Sequence, residues 1–518
     1  MKLNILIGGK AGQGINSVSS IVSSVLAKNG YFTFNYRDYP SLIRGGHNFN
    51  VLCISDEKIG SVETKINGIV ALDEKTLGLH KKELKKDSFI IDFKKFEKDN
   101  LGRNLNIALA GALIKVLGIN RQSLIEGVEK QFHNKEANQA AEKGFSVFDK
   151  KFDLKKLNNN LTIMTGSQGI AQGAVNSGID IYFGYPMTPA TPVLHELASL
   201  EEKNKFMVFL PENEISAVNA ALGASFAGAK TMTGSSGGGF DLMTEALSLQ
   251  GQSEIPLVVY LASRPGPSTG VPTYTMQDDL DVALRAGHGE FPRIVIAPGD
   301  PIECIEKTNE AFYLSQKFNA LSVILSDKHL AEGEFTSDRK PNKTLKVEVK
   351  RKVPGEGIIK ANSYEHDEKG FSAEDSETIK KNAEKRLKKY EEIKKECNKF
   401  QMIKIYGNKN AKNLIIGWGS TKTVILDALD AIDASIKKIG NYRFLQVLYL
   451  KPLSDEIKEE IIKTQKAGGK IILVENNVTG QLGRLIREKT GISIKNKILK
   501  YDGKPFYSDE LKEEILKI

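Results

Sequence analysis

The sequence predicts a multidomain α/β protein, and three observations lead there. The chain has 518 residues, and a domain takes about 100–200, so three or four separate cores are expected. Hydrophobic residues make up 40% and charged residues 26%, the ordinary composition of a globular chain. Short β-rich runs alternate with helical patterns along most of the sequence, as in sheets covered by helices.

Taken in order, region 1–160 opens with a strand over Leu3–Ile7, a glycine-rich turn over Gly8–Gly14 and a helix over Ile15–Asn29. Further strands near Tyr31–Asn35 and Phe49–Ser55 suggest a parallel, helix-covered sheet. The polar stretch Lys150–Asn160 reads as a linker. Region 161–335 is dense in Gly, Ala and Ser, with strands at Ile181–Phe183, Phe206–Leu210, Leu257–Leu261 and Ile294–Ile296. Its helix Ile215–Lys230 is nearly all small residues, which let backbones approach, so burial on most sides is expected. Region 336–405 loses apolar periodicity and gains charge. Good helix formers over Glu374–Lys399 make its second half an exposed helix in a connector or arm. Region 406–518 returns to strand, turn and helix, with strands at Asn413–Ile416, Phe444–Tyr449 and Lys470–Val474 and a helix ending at Ala434.

Several function classes are excluded. The longest apolar run, Ile255–Ala262, is far short of the roughly 18–20 residues of a membrane span. The apolar start is too short for a signal peptide, so a cytoplasmic protein is expected. Cys53, Cys304 and Cys397 lie far apart; no thiolate metal site, iron–sulfur cluster or disulfide framework is expected from them. The net charge is +9, but residues 341–410 hold 18 Lys/Arg against 12 Asp/Glu. A local excess of that kind is solvated charge, so no nucleic-acid partner is expected. His47, His195 and Glu196 lack metal-ligand spacing, and no metal is assigned to this chain. No G-x-S-x-G element or Cys/His hydrolase signature is present.

Six segments are suited to chemistry. Gly9, Gly12 and Gly14 lie in a turn that exposes N–H groups at a helix start, an anion-binding arrangement. Their G-x-x-G-x-G spacing reverses the dinucleotide fingerprint, Asn35 replaces the expected acid, and Ile15 stands where a P-loop needs lysine. A tight structural turn and a ligand loop fit equally. Tyr185–Pro192 is stiffened by three prolines and presents Thr188 and Thr191 after a strand, or simply caps the next helix. Glu214 opens the small-residue helix; it is a partner for the helix dipole, or a carboxyl whose proton an apolar setting retains. The Thr233–Gly239 stretch leaves room for a flat ring. Arg264, beside a Gly/Pro/Ser/Thr loop reaching Thr273, suits bidentate capture of a carboxylate or is a surface arginine. His288, between two glycines, is a turn histidine or a base.

Singly weak, these segments are specific in order. TGSQGIAQGAVNSGIDIYFGYPMTPATPVLHEL, PENEISAVNAALGASFAGAKTMTGSSGGGFDLM, ASRPGPSTGVPTYTMQDD and GHGEFPRIVIAP resemble the alpha subunit of 2-oxoacid:ferredoxin oxidoreductases. GGKAGQG and Ser41–Gly46, with Arg44, are similar to motifs of that family's gamma subunit. Val474–Asn477 through Gly480–Gln481 resembles the transketolase C-terminal domain that closes the alpha subunit. The resemblance covers nearly the whole chain, least clearly 336–405. It implies a gamma-type α/β domain (1–160), a thiamine diphosphate pyrimidine-binding-like domain (161–335), a charged helical connector (336–405) and a transketolase C-terminal-like domain (406–518). Such gamma–alpha fusions are typical of the 2-oxoglutarate-type enzymes.

The resemblance implies oxidative decarboxylation of a 2-oxoacid, above all 2-oxoglutarate, with coenzyme A, giving acyl-CoA, carbon dioxide and reduced ferredoxin. Glu214 matches the glutamate that hydrogen-bonds the aminopyrimidine of thiamine diphosphate, where a carboxyl helps generate the nucleophile. Gly234, Ser235 and Gly237 would line the same cofactor, and Thr188, Arg264 and Thr273 match the substrate-holding positions. Gly9, Gly12, Gly14 and Arg44 form a possible anion or coenzyme A loop. Met187 stands where isoleucine is common, a harmless swap; Gly238 replaces a frequent proline, so a more mobile loop is expected. The Gly-Asp-Gly diphosphate motif is missing. A separate beta subunit is therefore expected to hold the diphosphate, Mg2+ and a four-iron four-sulfur cluster, within a dimer of alpha–beta heterodimers. Alternatives are the same chemistry on pyruvate, branched-chain or aryl 2-oxoacids, a dinucleotide-dependent oxidoreductase, and a non-catalytic assembly subunit that has kept the fold.

Overall fold

The computed structural model describes residues 1–40, 46–436 and 440–518. They form two compact units. The first comprises Met1–Thr165, Gly333–Arg339 and Tyr507–Glu513; the second comprises Gly166–Glu332, Lys340–Phe506 and Glu514–Ile518.

Seven strands build the sheet of the first unit, in the order Leu84–Asp92, Ile66–Ala71, Lys2–Lys10, His47–Ser55, Phe32–Asp38, Glu334–Ser337, Thr162–Thr165. Lys2–Lys10 pairs parallel with Ile66–Ala71 but antiparallel with His47–Ser55, which is also antiparallel to Phe32–Asp38. The expected parallel sheet is therefore mixed. The connection from Asp38 to His47 is too short for the crossover helix that parallel neighbours need. Helices Ile15–Lys28, Leu105–Leu117 and Lys135–Val147 bury their apolar faces in this unit's core. Two of them touch through glycine: a Cβ on Gly144 would lie 1.8 Å from the Ala108 carbonyl oxygen, and one on Gly111 2.1 Å from that of Ala141. The stretch Lys150–Asn160 has no regular structure but is fixed, with Leu154 buried and its N–H donating to the Leu117 carbonyl at 3.1 Å.

A second seven-stranded sheet runs Tyr449–Lys451, Arg293–Ile296, Leu321–Asp327, Leu257–Ser263, Thr231–Ser235, Ile181–Phe183, Met207–Phe209. All neighbours are parallel except the first pair. Within the same unit, a five-stranded sheet runs Ile403–Gly407, Tyr442–Val447, Asn413–Trp418, Ile471–Glu475, Asn496–Leu499. The run read from sequence as one strand, Phe444–Tyr449, is split. Tyr442–Val447 belongs to the smaller sheet, and Tyr449–Lys451 crosses to the edge of the larger one. One apolar core serves both sheets. The buried Lys422 ammonium pairs with Asp300 and Glu303, whose second oxygen accepts from Gln446 at 2.7 Å. Asp300 also caps helix Pro301–Phe318, which starts on proline, a favoured first residue.

The charged segment is docked rather than free. Leu345 N–H donates to Asn309 at 2.7 Å and Arg351 to Gln316 at 2.8 Å. Helix Ser376–Cys397, capped by Asp375, is mostly exposed but buries Ile393 and Cys397. Among the described residues no helix is long and apolar enough to cross a membrane.

Candidate functional site

Strands Leu257–Ser263, Thr231–Ser235, Ile181–Phe183 and Met207–Phe209 are neighbours and all parallel. Their carboxyl ends therefore lie along one edge of the sheet, where open α/β sheets place ligands. Four of the segments read from the sequence leave from those ends. The Arg264 loop, the Ser235–Gly237 corner, the Tyr185–Pro192 run and Pro211–Glu214 are far apart in the chain and gathered by topology.

Asn213 caps helix Glu214–Phe226, accepting from Ser216 N–H at 2.8 Å, which puts Glu214 at the first helical position. The Glu214 side chain is 3% exposed. Ser235 Oγ donates to its Oε1 at 3.4 Å and to Met187 Sδ at 3.6 Å. Gly239 makes room for that acid: a Cβ there would lie 2.5 Å from Glu214 Oε1 and 2.1 Å from Ser235 Oγ. The helix itself is not buried on most sides. Ala217, Val218, Ala221 and Leu222 are buried, whereas Ile215, Asn219 and Gly223 face outward. A helix packed on one sheet hides only one stripe.

The corner after Thr231–Ser235 is tighter than a loop. Ser236 alone separates the strand from helix Gly237–Ser253. Gly238 is thus helical rather than part of a mobile loop. Gly234 packs against Tyr182, whose hydroxyl would be 2.6 Å from a Cβ. Gly237 lies against Asp279 Oδ1, which would be 2.6 Å from one. Thr233 Oγ1 and Ser236 Oγ are buried without a partner among the described residues.

Arg264 is joined to the proline-stiffened loop: its Nη1 donates to the Thr188 carbonyl at 2.6 Å. Burial pulls its guanidinium down from the ordinary value, while the charges of Asp279 and Glu214 hold it up. Thr273 is buried further along the Arg264 loop. Asp278 and Asp279, which sequence reasoning passed over, end this loop. Burial, then the Asp278 charge, pushes the Asp279 acid up to about 7. Two adjacent acids behind an arginine were visible in the sequence; their burial was not. His288 is a turn residue, its N–H donating to Ser248 Oγ at 2.8 Å.

The glycine-rich loop belongs to the first unit. Gly8, Gly9 and Lys10 are strand residues, so the turn is shorter than expected, from Ala11 to Gly14. Gln13 folds back, its Oε1 accepting from Lys10 N–H at 2.7 Å. Gly12 and Gly14 have φ of 88° and 87°, the left-handed region glycine tolerates. Gly14 caps helix Ile15–Lys28 without a side chain, and no acid occupies the first turn. Cavities of about 580 and 510 Å³ flank Gln13, the first with Lys10 and Lys75, the second with Arg103 and Asn106. Arg44 lies outside the described residues. Among those described, no three His, Cys, Asp or Glu side chains converge as a metal site.

Comparison with known proteins gives consistent names. Residues 172–401 match the family model of the pyruvate flavodoxin/ferredoxin oxidoreductase thiamine diphosphate-binding domain. Residues 4–99 match that of pyruvate ferredoxin/flavodoxin oxidoreductase. A 2-oxoacid:ferredoxin oxidoreductase subunit alpha of Saccharolobus solfataricus is 30% identical over 99% of this chain and 97% of the relative. The 2-oxoglutarate synthase subunit KorA of Methanocaldococcus jannaschii is 30% identical over 62% of this chain and 89% of its own. The solved structure of 2-oxoglutarate:ferredoxin oxidoreductase from Magnetococcus marinus, with 2-oxoglutarate, coenzyme A and succinyl-CoA bound, shares the fold. It superposes with a TM-score of 0.88 at 24% identity, covering 100% of this chain and 99% of that one.

Proposed function

This chain belongs to the alpha subunits of the 2-oxoacid:ferredoxin oxidoreductases, and from that membership we propose that it supplies the pyrimidine-binding and substrate-binding half of a shared active site. The reaction is oxidative decarboxylation of a 2-oxoacid with coenzyme A to acyl-CoA, carbon dioxide and reduced ferredoxin. The substrate we favour is 2-oxoglutarate, the acid in the name of the M. jannaschii relative.

The observation that carries this reading is the gathering of Glu214, Ser235, Thr188 and Arg264 at the ends of four neighbouring strands. The residues present fit the pyrimidine half of thiamine diphosphate. Glu214 is a buried acid at a helix start, Gly239 leaves it space, and Thr233 and Ser236 offer unpartnered hydroxyls. We assign the diphosphate and Mg2+ site to the beta subunit together with the iron–sulfur cluster.

When bound, thiamine diphosphate supplies the carbon nucleophile that attacks the 2-oxoacid. Glu214 offers its carboxyl as the hydrogen-bond partner of a ring nitrogen, while Ser235 fixes that carboxyl's orientation. Gly234 and Gly237 keep the floor flat. Arg264, anchored through Thr188, meets the substrate carboxylate with its remaining N–H donors, and the hydroxyls of Thr188 and Thr273 donate to carboxylate and keto oxygens. The Gly9–Gly14 turn, flanked by Lys10, Lys75 and Arg103, is assigned to an anionic part of coenzyme A. Met207, Phe209 and Leu210, on the strand and turn leading into the Glu214 helix, and Ile215 in its first turn are exposed large apolar side chains, a surface we assign to the beta subunit.

Arg264→Ala tests the reading in the complex reconstituted with its beta subunit. We expect kcat/KM for the 2-oxoacid, read by ferredoxin reduction, to fall by about two to three orders of magnitude. Wild-type efficiency in that variant would show that Arg264 is not the carboxylate residue. A panel of 2-oxoglutarate, pyruvate, branched-chain and aryl 2-oxoacids fixes the substrate.

A further inference from the structure

The loop that carries Arg264 and Thr273 has little regular structure between strand Leu257–Ser263 and helix Leu280–Arg285. Its first part is tied locally: Val271 N–H donates to the Pro265 carbonyl at 3.0 Å, and Gly266 N–H to Asp278 Oδ2 at 3.1 Å. Its last part is held by residues more than a hundred positions downstream.

Gln277 is fully buried, and both its backbone and its side chain are engaged. Its N–H donates to the Asn476 carbonyl at 2.8 Å, and its Oε1 accepts from Asn476 N–H at 3.0 Å. Its Nε2 donates to the Trp418 carbonyl at 2.9 Å, and its carbonyl accepts from Asn477 Nδ2 at 3.1 Å. Gln481 grips the next turn, its Nε2 donating to the Asp278 carbonyl at 2.7 Å and its Oε1 accepting from Asp281 N–H at 3.2 Å. One buried acid organises the gripping side. Glu475 accepts from Trp418 Nε1 at 3.1 Å, Asn477 Nδ2 at 2.9 Å, Leu482 N–H at 3.0 Å and Gly483 N–H at 3.2 Å. Asn477 Oδ1 in turn accepts from Gly480 N–H at 2.8 Å. A buried network satisfied to this degree has one arrangement, because each lost bond strands a partner away from water.

We propose that the Glu475–Gln481 stretch is a clasp that sets the register of the Arg264 loop, making Gln277 and Gln481 positioning residues for the 2-oxoacid site. The proposal rests on the substrate role given to Arg264 and Thr273 above. It gives the run of Glu, Asn, Asn, Gly and Gln in the last domain a task in substrate binding, which its distance from the other motifs conceals. A displacement of about 1 Å in a binding group is enough to cost orders of magnitude in rate, so a clasp remote from the chemistry has leverage on it.

The test uses Gln481→Leu, which keeps the side-chain volume and removes both bonds, and the milder Gln481→Glu, which keeps the acceptor for Asp281. Both are assayed in the reconstituted complex beside Arg264→Ala. Gln481→Leu should raise KM for the 2-oxoacid about tenfold while KM for coenzyme A and for ferredoxin stays unchanged, with Gln481→Glu intermediate. Hydrogen exchange at the Gln277 and Asp281 amides of the full chain should quicken in the same order. An unchanged 2-oxoacid KM in both variants, or equal losses for all three substrates, overturns the clasp. If instead Arg264→Ala retains full efficiency, the substrate-site reading fails, and the exchange data alone then report the loop's anchoring.

Discussion

Glu214 and Asp279 are two buried acids at one strand edge, held there by different means. Glu214 has a hydroxyl partner and the space left by Gly239. Asp279 has one oxygen buried without a partner among the described residues, next to a second acid. Its proton is therefore retained up to about 7 in the folded chain, against about 4 for an aspartate in the unfolded one. The sign follows. The folded state binds that proton more tightly, so Asp279 contributes stability below about pH 4 that is lost as pH rises to about 7. Asp279→Asn, neutral and of the same shape, should match the wild type near pH 4 and exceed it by up to about 4 kcal/mol at pH 8. Thermal unfolding across that range checks this, and a difference independent of pH would contradict it. The identity of Glu214 and Arg264 was legible as sequence, because strand-end loops rich in Pro, Gly and Ser mark ligand edges. The Asp279 environment was not, since two adjacent acids read as solvated charge until a fold covers them.

At the level of elements, the strands that the sequence singled out in the second unit, such as Ile181–Phe183 and Leu257–Ser263, were legible to within a few residues, whereas Leu321–Asp327 and Asn496–Leu499 were not singled out. Fully apolar runs bounded by glycine and proline leave few alternatives. The errors have a common cause. The mixed sheet of the first unit, the strand crossing at Tyr449–Lys451 and the one-sided burial of helix Glu214–Phe226 all depend on what lies beside an element. Periodicity within an element does not record its neighbours. The helix pair of the first unit makes the same point with a sign that propensity alone gets wrong. Gly144→Ala should stabilise an exposed helix by about 1 kcal/mol. Here the added Cβ would meet the Ala108 carbonyl at 1.8 Å, so the helices must separate. We expect a net loss of about 1–3 kcal/mol, visible as a lower unfolding midpoint of the first unit. A gain would show that the pair is loosely packed.

For the molecule as a whole, the cysteines bear on where the reaction's electrons go. Cys53, Cys304 and Cys397 are each buried. We propose that the electrons released on decarboxylation leave through the beta subunit. These 518 residues, purified and given thiamine diphosphate, Mg2+, coenzyme A and ferredoxin, should therefore turn over no 2-oxoacid. Addition of the beta subunit should restore ferredoxin reduction. Turnover by the chain alone would overturn the division of labour. The sequence by itself determined the α/β class and the family, because those are local patterns and ordered motifs. Only the tertiary structure decided which motifs share a strand edge, which acids are buried and how a distant Glu475–Gln481 stretch holds the Arg264 loop. Burial and hydrogen-bond satisfaction are properties of neighbours in space, and a linear chain does not state its neighbours.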